Sequence, residues 1–249
     1  MTGTLHAGSP GAGESGLRDI YEDPAVPLSS GPDRAHRQAA MLTTVLQDVR
    51  VPAVIVDIGC GDGQALRMAA DRSAGHRFVG LDWSASAVRQ SRGRGIAVLR
   101  AAIDGPALPL ASGSSDVVIM SEVIEHLVDT DAALEEVRRI LKPGGSLLLS
   151  TPNLAAWYNR GLLAAGIQPV FSEVSLRAVF GRPGTQVAGH LHMFTRRALV
   201  GLLSARGFSS IEVSGACYHD VPWPLRPLDR VLCYWPSAAS ILLVHARAT

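Results

Sequence analysis

The chain has 249 residues, of which 47% are hydrophobic, and this suits one domain with a sizeable core and insertions. Its 23 basic and 22 acidic residues nearly cancel, so the total charge predicts neither a nucleic acid nor a membrane as partner. Three cysteines without a CxxC pair, no signal-peptide pattern and no apolar run long enough to cross a bilayer predict a cytoplasmic protein.

The first part of the chain alternates strand-like and helix-like patterns. Residues 1–16, rich in Gly, Ser, Ala and Pro, predict a flexible tail, and apolar residues at helical spacing predict a helix within 34–49. Strands are then predicted at 54–58, 78–81, 96–99, 116–120 and 146–150, and helices at 64–71, 84–91 and 131–141. Residues 142–145, Lys-Pro-Gly-Gly, predict a stop and a turn. This alternation favours a parallel sheet covered by helices on both faces.

The last hundred residues depart from that alternation. A helix is predicted at 195–208 with Gly207 as its stop, followed by strands at 210–213 and 241–245. Two segments, 153–192 and 216–237, follow neither period and are predicted to be irregular.

A glycine-rich turn, Asp-Ile-Gly-Cys-Gly-Asp-Gly at 57–63, follows the first predicted strand. A turn of this kind lets a ligand approach the backbone at the edge where open α/β sheets bind ligands. A dinucleotide fingerprint counted from Gly59 would place its third glycine at Gln64, which does not fit. Asp62 at the helix start would also repel a diphosphate. The turn therefore favours a positively charged, amino-acid-bearing cofactor over a nicotinamide dinucleotide.

Acidic residues at the ends of the next strands extend this prediction. Asp82 ends the second strand, where a carboxylate can accept hydrogen bonds from both ribose hydroxyls. Trp83 offers a flat face to a purine. Asp104, after the third strand, is placed to bind the exocyclic amine of adenine. Each acid alone is commonly a solvated turn residue, but three at successive strand ends indicate one site.

These motifs resemble those of class I S-adenosylmethionine-dependent methyltransferases, closely over residues 50–152. The matching stretches are DIGCGDG at 57–63, GLD at 80–82, ID at 103–104, LP at 108–109, DVV at 116–118 and LKPGG at 141–145. The resemblance implies a Rossmann-like α/β fold with a seven-stranded, mostly parallel sheet, an antiparallel last strand and helices on both faces. It also implies that S-adenosylmethionine is held by Asp57, Gly59, Cys60, Gly61, Asp82, Trp83, Ile103, Asp104 and Ser121.

The resemblance further implies a single methyltransferase domain over residues 17–249. Within it, residues 17–50 are expected to form a lid, with Tyr21 and His36 facing the pocket. Residues 153–192 are expected to be an insertion that caps the substrate.

His126 is the candidate catalytic base, in the EVIEHL stretch that follows the fourth strand. Methyl transfer from a sulfonium is an in-line displacement that depends on positioning, and a hydroxyl acceptor benefits from a base. The alternative is a structural histidine bonded to backbone. An amine acceptor would need no strong base.

The same stretch contains a candidate metal site. Glu122, Glu125 and His126 are spaced to share one helix face, and His190 and His192 follow later. This pattern resembles the metal site of small-RNA 2′-O-methyltransferases, but no basic RNA-binding face is evident, and metal-free small-molecule enzymes carry the same letters. A divalent metal is therefore an alternative, with Glu122, Glu125, His126 and His192 as candidate ligands.

Six aromatic residues fall in the two irregular segments: Trp157, Tyr158, Tyr218, Trp223, Tyr234 and Trp235. Amphipathic aromatics outside the sheet predict a pocket wall, and a contact between two copies of the chain is the alternative. The candidate substrate residues are Tyr21, Glu122, Trp157, Tyr158 and His190. The sequence predicts methylation of a small molecule at oxygen. Three alternatives remain. The methyl group could go to nitrogen or carbon, or, with the help of a metal, to a hydroxyl of a diol, quinol or sugar. The protein could also bind the cofactor without catalysis.

Overall fold

The computed structural model describes residues 32–104, 107–218 and 221–249. Tyr21, the predicted tail and the first part of the predicted lid lie outside these residues. The helices are α1 (Pro32–Leu46), α2 (Gln64–Arg72), α3 (Ala85–Gly93), α4 (Thr130–Ile140), α5 (Trp157–Ala164), α6 (Arg196–Ala205) and α7 (Arg226–Leu232), with 3₁₀ turns at Ile124–His126 and Trp223–Leu225. The strands are β1 (Val54–Ile58), β2 (Arg77–Asp82), β3 (Ala97–Arg100), β4 (Ser115–Ser121), β5 (Leu141–Pro152), β6 (Phe208–Ala216) and β7 (Ile241–Ala248).

The strands form one seven-stranded sheet in the order β3-β2-β1-β4-β5-β7-β6. Strands β1 to β5 pair in parallel, and β7 lies antiparallel between β5 and β6. The predicted mostly parallel sheet with an antiparallel last strand is therefore confirmed. Because β1 to β4 are parallel, their carboxyl ends meet at one edge of the sheet.

Two apolar cores lie on opposite faces of this sheet. Alternate residues of each central strand face one core or the other, so that Ile55 packs among α1, α2 and α3, while Val56 packs with α4 and α6. In α4 the apolar positions Leu134, Val137 and Ile140 are fully buried, as expected for an amphipathic surface helix.

Strand β5 differs from the prediction of a turn at 142–145. It runs from Leu141 to Pro152, and its register against β4 shifts between the pairs Ser115↔Leu141 and Val117↔Ser146. Leu141 is buried, whereas Lys142 to Gly144 are exposed, and Gly144 has a φ of 75°. The Pro-Gly-Gly excursion is thus a bulge inside the strand.

The two segments predicted to be irregular contain short helices. Helix α5 lies in the first, and the 3₁₀ turn Trp223–Leu225 with α7 lies in the second. Their prolines and aromatics obscure the helical period, so the pattern did not reveal them. Within the described residues, no helix is both long and apolar enough to span a bilayer.

Candidate active site

The glycine turn after β1 packs against the stretch that follows β4. Gly59, Gly61 and Gly63 have φ values of 72°, 55° and 75°, in the left-handed region that favours glycine. A Cβ on Gly59 would lie 2.5 Å from Cγ2 of Val123. The backbone of the turn is therefore held close to residues 121–126.

Cys60 contributes its backbone to the turn while its side chain points towards β2. The thiol is buried, and a Cβ on Gly80 would lie 2.5 Å from Sγ of Cys60. Cys60 was predicted to bind the cofactor, but its side chain fills the space beside Gly80, so only its peptide group remains for such a contact.

Asp82 links the glycine turn after β1 to the turn between β2 and α3. Its Oδ2 accepts a hydrogen bond from the Gly61 N–H at 2.9 Å, and its Oδ1 accepts one from the Ser84 N–H at 2.9 Å. The Ser84 hydroxyl in turn caps α3 by accepting from the Ala87 N–H. The carboxylate at the end of β2 is thus fixed by backbone groups on both sides.

Asp57 lies buried beneath the same turn. Its Oδ2 accepts a hydrogen bond from Nε2 of Gln38 at 2.9 Å, and its Oδ1 has no hydrogen-bond partner among the described residues. Burial, only partly offset by the nearby Arg34 charge, raises the pKa of Asp57 to about 7.

Asp62 is paired within the protein. Its Oδ2 lies 2.9 Å from Nη2 of Arg94, and its Oδ1 accepts from the Gln64 N–H. Because Arg94 offsets the negative charge of Asp62, the expected repulsion between Asp62 and a diphosphate no longer applies. The spacing of the glycines still argues against a dinucleotide.

Trp83, Ile103 and Asp104 also lie at this edge of the sheet. Trp83 is half-buried, and Nε of Arg100 donates to its carbonyl. Ile103 packs partly against the core around α4. Asp104 is exposed, and its Oδ2 lies 3.4 Å from the Val128 N–H.

Glu122 does not share a helix face with Glu125 and His126, contrary to the prediction. It has a φ of 53° and precedes a single 3₁₀ turn, Ile124–His126. Its side chain instead accepts from the Ser150 hydroxyl at 2.8 Å, and Ser150 also contacts the Ser121 hydroxyl at 2.8 Å. The left-handed residue at the end of β4 turns the Glu122 side chain towards β5.

Three side chains cluster beside this turn: Glu125, His126 and His190, whose candidate ligand atoms lie within 4.8 Å of one another. The His126 and His190 rings have centroids 4.7 Å apart. Nδ1 of His126 lies 3.1 Å from the Gly189 carbonyl, and Nδ1 of His190 lies 3.1 Å from the Phe171 carbonyl. Since a carbonyl only accepts, both rings carry the proton on Nδ1 and present Nε2 as an acceptor.

Glu125 is fully buried in this cluster. Its Oε2 accepts from the Thr151 hydroxyl at 3.0 Å, while its Oε1 has no hydrogen-bond partner among the described residues and lies 3.9 Å from Nε2 of His126. Burial, with the neighbouring Glu122 charge, raises the pKa of Glu125 well above its usual range. Burial and the nearby His190 lower the pKa of His126 to about 3, so its ring is neutral at neutral pH.

A buried ion pair holds the loop that carries His190. Glu173 and Arg182 lie 2.9 Å apart with side chains 2% and 5% exposed. The Glu173 carboxylate also accepts from the N–H groups of Ala188, Gly189 and His190. His192 lies outside the cluster, with Nε2 3.4 Å from the Val128 carbonyl.

The six predicted aromatic residues divide by burial: Trp157, Tyr158 and Tyr218 are partly buried, whereas Trp223, Tyr234 and Trp235 are exposed. Nε1 of Trp157 donates to the buried Asp229 at 2.9 Å, and the Trp157 ring meets Tyr158 edge-on at 5.5 Å. Tyr218 contacts Phe171 at 5.0 Å. Phe171 also lies 5.5 Å from the His190 ring. Tyr218 is therefore linked to the histidine cluster through Phe171, which sequence reasoning missed.

Helix α1 supplies two polar side chains that were also missed. Nη2 of Arg34 donates to the Ser121 carbonyl at the end of β4, and Gln38 bonds Asp57. The i, i+4 spacing of Arg34 and Gln38 beside the buried Leu42 was the available signal. His36, which was predicted to face the pocket, is exposed on α1.

Comparison with known proteins identifies the family. A family model described as a methyltransferase domain matches residues 56–149. A malonyl-[acyl-carrier protein] O-methyltransferase of Pseudescherichia vulneris is 33% identical over 207 residues, which make up 80% of this chain and 81% of that protein. The chain belongs to the S-adenosylmethionine-dependent methyltransferases.

Two further proteins agree with this assignment. A probable S-adenosylmethionine-dependent methyltransferase of Mycolicibacterium smegmatis is 32% identical over 181 residues, which are 68% of this chain and 66% of that protein, slightly under two thirds. A chain in the solved complex between the Haloferax volcanii Trm112 methyltransferase activator and a putative methyltransferase has the same fold. It matches with a TM-score of 0.66 and 21% identity, over 93% of this chain and 97% of that one. The predicted class I methyltransferase fold and its cofactor, S-adenosylmethionine, are confirmed.

The chemistry of the sheet edge fits that cofactor. The buried Oδ1 of Asp57 has no partner in the part of the chain that the structure describes. It suits a cationic or N–H-bearing group, and S-adenosylmethionine carries both an ammonium and a sulfonium. Asp82 supplies a carboxylate at the end of the neighbouring strand, where a ribose binds in related sheet architectures. Both aspartates are hydrogen-bond acceptors, which suits the ammonium and the ribose hydroxyls of S-adenosylmethionine.

Proposed function

We propose that this methyltransferase transfers the methyl group of S-adenosylmethionine to an oxygen of a small molecule, with His126 accepting the proton. The observation that carries the proposal is the orientation of the His126 ring. Its Nδ1 is tied to the Gly189 carbonyl, which leaves Nε2 as the acceptor. His126 lies three residues after Val123 in the chain, and the Val123 side chain packs directly on the glycine turn.

The cofactor lies along the carboxyl edge of β1 to β4 in this proposal. The backbone of Gly59, Cys60 and Gly61 approaches its amino-acid part, and Asp57 faces its ammonium. Asp82 accepts from the ribose hydroxyls. The adenine is held by Trp83, Ile103 and Asp104, and Ser121 borders the reacting centre.

A neutral imidazole suits an oxygen acceptor. When a hydroxyl attacks the methyl carbon, the C–S bond breaks, a C–O bond forms and the hydroxyl proton must leave. Burial keeps His126 uncharged and makes it a weak base. A weak base is sufficient here, because the hydroxyl proton becomes strongly acidic as the C–O bond forms and passes to Nε2 at that stage. The P. vulneris relative is named an O-methyltransferase, which supports oxygen as the atom methylated.

The acceptor is bounded by the segments that carry the aromatic residues. His190, Phe171 and Tyr218 form a chain of ring contacts that starts at His126. Trp157, Tyr158 and Glu122 border the same region of β5. An acceptor with an apolar or aromatic body and one reactive hydroxyl fits these surroundings.

A metal-assisted reaction is the second candidate, and a specific observation favours it. Glu125, His126 and His190 converge, and each histidine donates its Nδ1–H to a backbone carbonyl, as metal-binding histidines commonly do. Oε1 of Glu125 is buried without a hydrogen-bond partner among the described residues. In this second candidate, His190 takes the place of the predicted ligands Glu122 and His192.

The cofactor assignment is tested by calorimetric titration of wild type and Asp82→Asn with S-adenosylmethionine and with its demethylated product. Asp82→Asn should weaken both affinities at least about tenfold, because the substitution removes one of the two carboxylate oxygens that accept hydrogen bonds from the ribose hydroxyls. Asp71→Asn, at an exposed carboxylate paired with Arg67 on α2, is the control. Equal affinities for wild type and Asp82→Asn would contradict the assignment.

The two catalytic candidates differ in their response to divalent cations. Wild type, His126→Asn and His190→Asn are incubated with methyl-labelled S-adenosylmethionine and panels of phenols, alcohols, carboxylic acids and amines, with and without Mg²⁺ or Mn²⁺. The base proposal expects O-methylation that is independent of cations and falls about 10²–10⁴-fold in His126→Asn only. Cation-dependent turnover that both substitutions abolish supports the metal site. Methylation of nitrogen or carbon alone overturns the choice of oxygen.

A further inference from the structure

Helix α7 presents its apolar side chains to solvent and buries its carboxylate. Asp229 is 2% exposed and accepts hydrogen bonds from Trp157, Ser240 and Tyr218. A helix on a protein surface normally shows the opposite arrangement, with its apolar stripe turned to the core. The inverted arrangement indicates a face that another surface covers.

Large apolar residues make this exposed face continuous along the chain. We call it the α7 face, and its exposed members are Trp223 (79%), Leu225 (41%), Leu228 (45%), Val231 (55%), Tyr234 (87%) and Trp235 (58%). Leu228, Val231 and Trp235 follow one another at helical spacing. Three of the six are Trp or Tyr, the residues that concentrate where proteins meet the headgroup region of a bilayer.

In the segments 153–192 and 221–237, the exposed charged side chains of the described residues are all basic. Among the described residues of 153–192 and 221–237, the exposed charged side chains are Arg160, Arg177, Arg226 and Arg230. Both carboxylates of these segments, Glu173 and Asp229, are buried. The balanced total charge predicted no membrane partner, but the exposed charges of these described segments are all positive.

The α7 face lies at the same edge of the sheet as the glycine turn. It lies between the end of β6 and the start of β7, where Ala216 and Pro152 both pair with Ile241. Pro152 ends β5, whose carboxyl end lies beside that of β4. A surface that covers the α7 face is therefore next to the candidate active site.

We propose that the α7 face binds the surface of an anionic phospholipid bilayer without spanning it. Trp223, Tyr234 and Trp235 enter the headgroup region, and the arginines bind lipid phosphates. Apolar aromatics flanked by basic residues are the pattern of proteins that lie in the plane of the interface. Positive residues near an anionic leaflet strengthen such binding in a salt-dependent way.

The test is co-sedimentation of the full chain with vesicles of phosphatidylcholine alone or mixed with phosphatidylglycerol. Wild type should bind the mixed vesicles, be released by salt and show a blue shift of tryptophan emission. Trp223→Ser combined with Trp235→Ser should lose the shift and bind about tenfold less. Arg230→Gln should bind about fivefold less. These side chains are exposed, so the fold should survive the substitutions.

Matched controls lie elsewhere on the surface. Val51→Ser and Val128→Ser remove residues that are 62% and 54% exposed, and Arg89→Gln removes an exposed arginine of α3. All three should bind mixed vesicles like wild type. Absence of wild-type binding, or equal loss in the controls, overturns the proposal. So does a homodimer in sedimentation velocity that the two Trp substitutions dissociate while vesicle binding is absent.

Discussion

Gly59 is under two separate physical constraints, and substitution can separate them. Its φ of 72° costs a non-glycine residue about 1–2 kcal/mol. A Cβ would also meet the Val123 side chain at 2.5 Å, and overpacking of that kind costs about 1–3 kcal/mol. Gly59→Ala should therefore lower the free energy of unfolding by about 2–5 kcal/mol in urea denaturation.

Gly95 provides the matched control for this prediction. It has a φ of 76°, but no atom lies within 4 Å of the position of its Cβ. Gly95→Ala should carry only the backbone cost. In a double-mutant cycle, Val123→Ala should relieve the excess cost of Gly59→Ala. Equal costs at the two glycines would show that contact with Val123 does not constrain the turn.

Residues at strand ends were more predictable than the directions of their side chains. The sequence placed Asp57, Asp82 and Asp104 at one edge because parallel strands end together. It did not reveal that the thiol of Cys60 packs on Gly80, or that Arg34 reaches the Ser121 carbonyl. Both contacts join distant parts of the chain, and a local pattern does not encode them.

Among the elements, the loop that positions His190 depends on one buried carboxylate. Glu173 accepts from three backbone N–H groups and pairs with Arg182. Glu173→Gln leaves the Arg182 charge buried, so the free energy of unfolding should fall by about 3–5 kcal/mol. Hydrogen exchange of the amides of residues 188–190 should speed up, because Gln keeps only one of the two oxygens that accept from these N–H groups.

Glu135→Gln, at an exposed ion pair with Arg206, is the control for Glu173→Gln. Glu135 is 62% exposed in its pair with Arg206, and Glu135→Gln should cost less than about 1 kcal/mol. Similar small costs for both substitutions, or unchanged exchange at 188–190, would mean that Glu173 does not hold the loop.

At the scale of the whole molecule, the central sheet was predictable and the segments that cap it were not. Strands β1 to β4 carry strong apolar runs bounded by turns, and the α/β alternation predicts that they lie parallel in one sheet. Helices α5 and α7 are too short for a periodic signal, and α7 inverts the usual apolar pattern. An inverted helix misleads any prediction that places apolar residues in the core, so the sequence pattern did not predict the capping region.

The buried groups near β1 and β4 make the stability of the whole chain depend on pH in two opposite ways. Burial lowers the pKa of His126 from 6.5 to about 3, so the unfolded chain binds a proton that the native chain refuses. Its contribution to stability therefore falls as the pH decreases from 6.5 towards 3. Burial raises the pKa of Asp57 from 3.8 to about 7, so the native chain keeps a proton that the unfolded chain releases. Its contribution falls as the pH rises from 3.8 to 7.

Two substitutions isolate these contributions. Relative to wild type, His126→Asn should become more stable as the pH falls, and Asp57→Asn should become more stable as the pH rises. Each difference should change by up to about 1.4 kcal/mol per pH unit within its window. Urea denaturation of the cofactor-free protein across this range measures both slopes. Because the slopes have opposite signs, a general change in fold stability cannot produce them. Parallel profiles for the two variants would contradict the assigned burial of His126 and Asp57.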